Sequence, residues 1–91
     1  HYPANYYLGV IAYQEGNGSS ALAYFNKLRE SANYARIIPY YITKLQFELG
    51  QYDALLNYAL PLSANKEVKQ LAAINYLIAQ AYFKKNEFVK A

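Results

Sequence analysis

The chain begins with an apolar pattern of helical spacing. Apolar or helix-forming residues recur at i, i+3, i+4 and i+7, namely Leu8, Ile11, Ala12 and Glu15. This spacing predicts an amphipathic helix whose inner face carries these residues. The run Gly16-Asn17-Gly18 predicts the end of the helix, because glycine and asparagine readily adopt the left-handed conformation that closes a helix C-terminus.

A second helical pattern follows the glycines. Ser19 or Ser20 is predicted to cap this helix, since a side-chain hydroxyl accepts a hydrogen bond from a free amide at a helix start. Its buried stripe is predicted by four residues at helical spacing: Ala21, Leu22, Phe25 and Leu28. The first unit is therefore predicted to be two antiparallel helices joined by a short turn.

Residues 47–61, FELGQYDALLNYALP, repeat this arrangement of helix, glycine turn and helix. Gly50 is predicted to be left-handed, and Tyr52 to fill the angle between the two helices. Asp53 suits the start of the second helix, where a carboxylate interacts favourably with the helix dipole. Pro61 has no amide hydrogen and clashes in a helix interior, so the second helix is predicted to end or kink near Ala59–Leu60. The segment PLSANKE then forms a longer joint.

The two glycine turns belong to a repeat of about thirty-four residues. Gly16 precedes Gly50 by 34 positions, and Asn86 lies 36 positions further on. Aromatic residues align at the same spacing, with Tyr6, Tyr40 and Tyr76 in one set and Tyr13, Phe47 and Phe83 in another. In the third segment the pattern predicts a helix over about residues 68–85, a turn at Asn86 and the start of another helix at Phe88.

This repeat resembles the tetratricopeptide repeat, a 34-residue helix-turn-helix unit with the signature W-x2-L-G-x2-Y, then A-x3-F, then P. In the first unit Leu8-Gly9 and Ala21-x3-Phe25 lie in the family's register. Departures in that unit are Asn5 at the tryptophan position, Ala12 at the tyrosine position and Asn33 at the proline position. The later units keep Gly50-x-Tyr52 and Tyr82, with Thr43 and Ala79 at the small glycine position and Leu55 at the alanine position.

The resemblance implies an all-α fold, a right-handed α–α superhelix of antiparallel helix pairs with about two and a half repeats. A single domain would contain repeat 1 at about 4–35, repeat 2 at about 36–66 and a partial repeat 3 at about 67–91.

Because the sequence starts on His1 and stops in mid-pattern, we expect a fragment of a longer chain. The segment YYLGVIAYQEGN is similar to segments of bacterial envelope members of the family, including the TolA-binding type. It favours the periplasm or cell envelope and leaves the cytoplasm open.

The resemblance also implies a protein–protein interaction scaffold that binds a peptide or partner protein in a concave groove. The first helix of each repeat lines that groove. Its positions are Tyr6, Val10, Tyr13 and Gln14 in the first unit, Tyr40, Lys44, Phe47 and Glu48 in the second, and Tyr76, Gln80, Phe83 and Lys84 in the third. Aromatic side chains there would anchor a partner. The alternative, that these rings pack against the neighbouring repeat, stays open at this point. A subclass that clamps a terminal carboxylate is disfavoured, because only Lys44 is basic at its clamp positions.

Composition agrees with helices whose faces are half-buried. Apolar residues make up 55% of the 91 positions and charged residues 16%, with 12 tyrosines and 4 phenylalanines. Tyrosine suits such faces because it has an apolar body and a polar tip. The net charge of +3 lies entirely in residues 66–91, while residues 1–65 sum to zero. Scattered lysines of this kind favour a solvated surface over a nucleic-acid site.

Catalytic, cofactor and metal sites are not predicted, and the chain is not expected to be an enzyme. There is no cysteine, and the single histidine, His1, has no His or Cys companion that would complete a metal site. Ser19 and Ser20 have no nearby base, and Glu48 and Asp53 flank a turn without a predicted pocket. No stretch approaches the ~18 uncharged apolar residues that a transmembrane helix needs.

Two other functions stay open. Single-stranded nucleic acid could stack on the aromatic rows beside lysines, although the first two units are neutral. Self-assembly is the other function, because a terminal repeat normally needs a polar cap. We expect the last apolar face to lack a cover and to form a homo-oligomer contact through Ile74, Leu77, Ile78 and Ala81.

Overall fold

A computed structural model describes the backbone of residues 1–90 and the side chains of residues 1–86. It contains five α-helices: α1 (Tyr2–Gln14), α2 (Gly18–Asn26), α3 (Ile38–Glu48), α4 (Tyr52–Ala59) and α5 (Leu71–Lys90). Two short 3-10 helices lie at Ala32–Tyr34 and Leu60–Leu62. Residues 1–90 contain no β-strand, which confirms the all-α prediction.

The helices pack in chain order. α1 packs on α2, α2 on α3, α3 on α4 and α4 on α5, and α3 also packs on α5. Three residues join α1 to α2 and three join α3 to α4, so each of these pairs forms a helical hairpin. The packed helices span 43 × 29 × 18 Å, an elongated shape that leaves broad helix faces in solvent.

Left-handed glycines close the first helix of each hairpin, as predicted. The φ angle is +77° at Gly16 and +73° at Gly50. At the first turn the amide of Asn17 donates to the carbonyl of Ala12 at 2.9 Å, and the amide of Gly16 donates to the carbonyl of Tyr13 at 3.2 Å. This paired arrangement satisfies two carbonyls that the helix end leaves free. The same two bonds recur around Gly50.

The cap of α2 differs from the prediction. The side chain of Asn17 accepts a hydrogen bond from the amide of Ser20 at 3.3 Å, so Asn17 is the N-cap. Ser19 and Ser20 lie inside the first turn of the helix. Asparagine serves both the end of the turn and the start of α2, because its short amide reaches back to a backbone amide.

Two apolar clusters form the core. The first joins α1, α2 and α3 through Ala12, Ala21, Leu22, Phe25, Leu28, Ile38, Ile42 and Leu45. The second joins α4, the following segment and α5 through Leu55, Leu56, Ala59, Val68, Ile74, Ile78 and Ala81. The predicted inner stripe of the second helical pattern is therefore confirmed, including Leu28, which lies just beyond the end of α2.

The predicted inner face of α1 is confirmed only at Ala12. Leu8 and Ile11 are 43% and 47% exposed, whereas Gly9 and Ala12 are buried. A Cβ atom at position 9 would lie 2.8 Å from the Phe25 ring, so the close approach of α2 needs a glycine there. Because α1 is apolar on all sides, its spacing fits more than one face, and this contact with Phe25 decides which face turns inward.

Pro61 ends the second hairpin as predicted. α4 stops at Ala59, and a 3-10 helix carries the chain through Pro61 to Leu62. The joint that follows is longer than predicted, since α5 begins at Leu71 instead of near Val68. Within the joint Val68 is buried, and Gln70 has a φ of +57°, a left-handed conformation that is uncommon outside glycine.

The predicted third turn is absent. α5 continues through Asn86 to Lys90, so no new helix begins at Phe88, whose side chain lies outside the described residues. Position 86 holds asparagine where the first two units have glycine. The residues on either side of it include good helix formers and neither glycine nor proline, so nothing in this segment requires the helix to stop.

The predicted exposed face on α5 is also wrong. Ile74, Ile78 and Ala81 belong to the second core cluster, and Leu77 is half-buried. Among its described side chains, the large apolar ones that α5 exposes are Tyr76, Tyr82 and Phe83. Three of the four predicted residues are therefore covered within the chain itself, and the homo-oligomer stays a prediction. None of the described helices combines the length and apolarity needed to span a bilayer.

Candidate partner-binding surface

The predicted groove positions fall into two groups. On α1 and α3 most of them are half-buried, namely Tyr6, Val10, Tyr13, Tyr40, Lys44 and Phe47, while Gln14 and Glu48 are exposed. On α5, Gln80 and Lys84 are half-buried, but Tyr76 and Phe83 are 63% and 57% exposed. Within the described residues no ring contact joins the α5 aromatics to those of α1 and α3. Tyr6 and Tyr40, and Tyr13 and Phe47, also lack a direct ring contact, and the α1 and α3 aromatics are linked instead through Tyr41 and Lys44.

The side chain of Lys44 on α3 connects this helix to α1. Its Nζ lies 5.6 Å from the ring centroid of Tyr13 on α1 and 5.8 Å from that of Tyr40 on α3. A hydrogen bond with the Tyr13 hydroxyl raises the pKa of Lys44, although burial acts in the opposite direction. Among the described residues no carboxylate forms an ion pair with this ammonium. Lys44 is therefore a positive charge held between two aromatic rings.

Tyr41 is a central residue of this surface that the sequence pattern missed. Its ring stacks on Phe25 at 4.7 Å and meets Tyr13 edge-on at 5.2 Å between centroids. Burial is the main cause that raises the pKa of Tyr41, and its hydrogen bond with Tyr6 acts in the same direction. The repeat register assigned only the first tyrosine of the Tyr40-Tyr41 pair to the groove. The adjacent tyrosines Tyr40 and Tyr41 were the one feature of the sequence that could have pointed to Tyr41 as a second aromatic residue of this surface.

Packing between units accounts for part of the aromatic rows, and their use as a partner groove stays a prediction. Tyr13 packs against Tyr41 of the next hairpin, as packing between neighbouring units requires, whereas Tyr6 stacks at 5.2 Å on Tyr34 within the first predicted repeat. The same rings remain partly in solvent. We call the group Tyr6, Tyr13, Tyr40, Tyr41 and Lys44 the docking surface.

A pocket of about 230 Å³ opens at one end of the docking surface, and we call it the tyrosine pocket. Its lining consists of Tyr6, Ile37, Tyr40, Tyr41, Lys69 and Gln70. These residues come from α1, from the start of α3 and from the joint before α5. Three of these six residues are tyrosines, and the described lining has one cationic side chain and no carboxylate.

A second pocket of about 300 Å³ lies beside the first glycine turn. It is lined by Tyr13, Gly16, Gly18, Leu45, Glu48 and Leu49. Of the described side chains, a single aromatic ring, that of Tyr13, contributes to it. It therefore offers less stacking area to a partner than the tyrosine pocket does.

Other polar contacts of the described residues have structural roles. The Nδ1 atom of His1 accepts a hydrogen bond from the amide of Ala4 at 3.3 Å and caps α1. Lys85 and Asp53 form an ion pair between α5 and α4, with side chains that are 41% and 80% exposed. Such an exposed pair contributes little to stability. The described residues contain no group of three His, Cys, Asp or Glu side chains placed to hold a metal ion.

Comparisons with known proteins do not extend this description of the surface. No protein-family model, curated protein or solved structure matches the chain.

Proposed function

We propose that the chain is a tetratricopeptide-like interaction module whose docking surface binds a peptide segment of a partner protein. The observation that carries this proposal is the meeting of half-buried tyrosines from α1 and α3 around Lys44, beside an aromatic pocket. The 34-residue spacing of Gly16 and Gly50 and the two helical hairpins support the likeness to that family.

The residue types of the docking surface suit protein recognition. Tyrosine is enriched among the residues that dominate binding energy at protein interfaces, because it supplies a large apolar area and a hydroxyl. The rings are held on helices and by contacts with one another, so a partner would not have to order them. The tyrosine pocket is smaller than the about 300–1,000 Å³ typical of small-molecule sites. A single side chain of a partner suits it better than a cofactor does.

Charge favours a peptide over a nucleic acid. Lys44 is the one cation of the docking surface, and residues 1–65 have no net charge. A single-stranded nucleic acid needs a groove with several cations that follow its phosphates. A single lysine between two rings can pair with one carboxylate of a protein partner. Such a pair gives charge complementarity and does not need the several phosphate contacts of a nucleic acid.

Selection from a displayed library of random 12-residue peptides would provide ligands with which to test the proposal. Tyr40→Ala should weaken the affinity of the selected peptides at least about tenfold, and Lys44→Ala at least about threefold. Tyr82→Ala is the matched control, because Tyr82 is an exposed tyrosine of α5 outside the docking surface. It should change affinity by less than about twofold.

Circular dichroism of each variant would establish that the helices are retained. Selection of no peptide, or equal loss of affinity in all three variants, would contradict the proposal. An oligothymidine that binds more tightly than the peptides and loses affinity steeply with salt would support the nucleic-acid alternative.

A further inference from the structure

The tyrosine pocket has a lining that suits one kind of side chain. Tyr6, Tyr40 and Tyr41 form its aromatic walls and Ile37 adds an aliphatic one. The Tyr40 and Tyr41 rings are tilted by 58° with centroids 6.2 Å apart, so they present faces of different orientation to the space between them. An aromatic guest can meet one ring face-on and another edge-on, the two arrangements that aromatic pairs prefer.

Lys69 is held at the rim of this pocket by its neighbours in the joint. The amide of Lys69 donates to the carbonyl of Arg36 at 2.8 Å, and the Nε–H of Arg36 donates to the carbonyl of Glu67 at 3.2 Å. Val68 is buried in the second core cluster, which fixes the backbone on that side. The left-handed Gln70 then turns the chain into α5. The position of Lys69 beside the tyrosines is therefore set by backbone contacts.

The charge around the pocket is positive. Lys69 lines it, Arg36 directly precedes Ile37, and Lys44 lies against the ring of Tyr40. No carboxylate of the described side chains lines the pocket, and Glu67 contributes its backbone carbonyl to Arg36. In the described residues the Lys69 side chain has no hydrogen bond or ion pair. The tyrosine pocket has apolar walls and cationic side chains around them, so it is complementary to an aromatic side chain that has acidic neighbours.

We infer that the tyrosine pocket binds the aromatic side chain of an acidic peptide segment, with Lys69 pairing with a carboxylate beside that aromatic residue. This inference rests on the proposed function and specifies its ligand class. It assigns the aromatic ring to the walls formed by Tyr6, Tyr40 and Tyr41, and it assigns selection for acidic sequence to Lys69 and Lys44.

Three blocked pentapeptides test the inference by titration into the isotopically labelled chain while amide chemical shifts are measured. The probe is acetyl-Asp-Asp-Phe-Asp-Asp-amide. One comparison peptide replaces its phenylalanine with alanine, and the other replaces its four aspartates with lysine. The probe should shift the amides of Ile37, Tyr40, Tyr41, Lys69 and Gln70 and bind at least about fivefold more tightly than either comparison peptide.

Two charge reversals provide a matched pair of variants. Lys69→Glu should weaken binding of the probe at least about fivefold. Lys66→Glu makes the same change of charge at an exposed residue that does not line the pocket, and it should alter affinity by less than about twofold. Both side chains are exposed, so neither change should unfold the chain.

The outcomes separate this inference from the proposed function. Equal binding of the three pentapeptides, or equal effects of Lys69→Glu and Lys66→Glu, would overturn the inference. If library-selected peptides bind the docking surface while the acidic probe does not, the inference fails and the proposed function stands. If neither the selected peptides nor the probe contacts the docking surface, both fail.

Discussion

The Nζ atom of Lys44 on α3 lies 5.6 Å from the ring centroid of Tyr13 on α1. This contact joins the first two hairpins at the docking surface, and Tyr40 lies on the other side of the same ammonium at 5.8 Å. A cation over an aromatic face contributes about 0.5–1 kcal/mol at exposed sites.

Replacing Lys44 with methionine should therefore lower the free energy of unfolding by about 0.5–1 kcal/mol, because it keeps the length of the side chain and removes the charge. Urea denaturation followed by circular dichroism would measure the change. Lys66→Met is the matched control, since the exposed Lys66 side chain has no hydrogen bond, ion pair or ring contact with the described residues, and it should leave stability unchanged. Equal effects of the two changes would show that the rings do not stabilise the ammonium.

Thr43 has a buried hydroxyl without a hydrogen-bond partner among the described residues. Valine has nearly the same shape without the hydroxyl, so Thr43→Val should raise the free energy of unfolding by about 1 kcal/mol. Thr43→Ser keeps the hydroxyl and removes a methyl group, and it should lower stability by about 1 kcal/mol. Urea denaturation of the two variants would measure both changes. A loss of stability in Thr43→Val would mean that the hydroxyl is hydrogen-bonded in solution.

Two glycines near the hairpin turns should respond in opposite ways to alanine. Gly50 has a φ of +73°, where a Cβ atom costs about 1–2 kcal/mol, so Gly50→Ala should destabilise the chain by that amount. Gly18 lies in the first turn of α2 with an ordinary φ, and an added Cβ would meet Leu45 and Leu49 at 3.7 Å. Gly18→Ala should therefore be neutral or stabilising. Thermal unfolding of the two variants compares them directly, and a similar loss in both would contradict the turn geometry.

Because of Tyr58, the free energy of unfolding should fall as the pH rises in the alkaline range. Burial raises its pKa to about 12, while Arg29, whose Cζ lies 4.5 Å from the ring centroid, acts in the opposite direction. The unfolded phenol titrates near 10.0, so between these values the folded chain retains a proton that the unfolded chain has lost. The contribution of Tyr58 to stability is therefore complete below about pH 10 and is lost as the pH rises towards 12.

The measurement is urea denaturation at several pH values across this window. Tyr58→Phe should lose stability less steeply than the unchanged chain, because phenylalanine does not titrate. Tyr7→Phe is the matched control, since Tyr7 is 70% exposed, and it should follow the unchanged chain. Identical slopes for Tyr58→Phe and Tyr7→Phe would show that burial of Tyr58 does not set this dependence.

Local backbone rules predicted the hairpins from sequence. Gly16 and Gly50 mark left-handed turns and Pro61 marks the end of α4, because each of these residues changes which backbone angles or hydrogen bonds are possible. These constraints act within a few residues. They therefore hold whatever packs on the helix.

Tertiary contacts account for the features that the sequence pattern missed. Leu8 and Ile11 have the spacing of an inner face, but the contact between Gly9 and Phe25 rotates α1 so that they face solvent. Asn86 occupies the place of a turn glycine, yet α5 continues through it. For the candidate site, Lys44 of α3 lies against Tyr13 of α1, and the use of these positions as a partner groove stays a prediction. Tyr41 contacts the rings of Tyr13 and Phe25, and the repeat spacing of the sequence does not predict these contacts.

The most direct test of the account is an amide chemical-shift map of the labelled chain bound to a library-selected peptide. We predict that the largest changes lie at the docking surface, on Tyr6, Tyr13, Tyr40, Tyr41 and Lys44. Changes centred on the exposed side of α1, at Tyr7, Leu8 and Ile11, or on the exposed aromatics of α5, would contradict it.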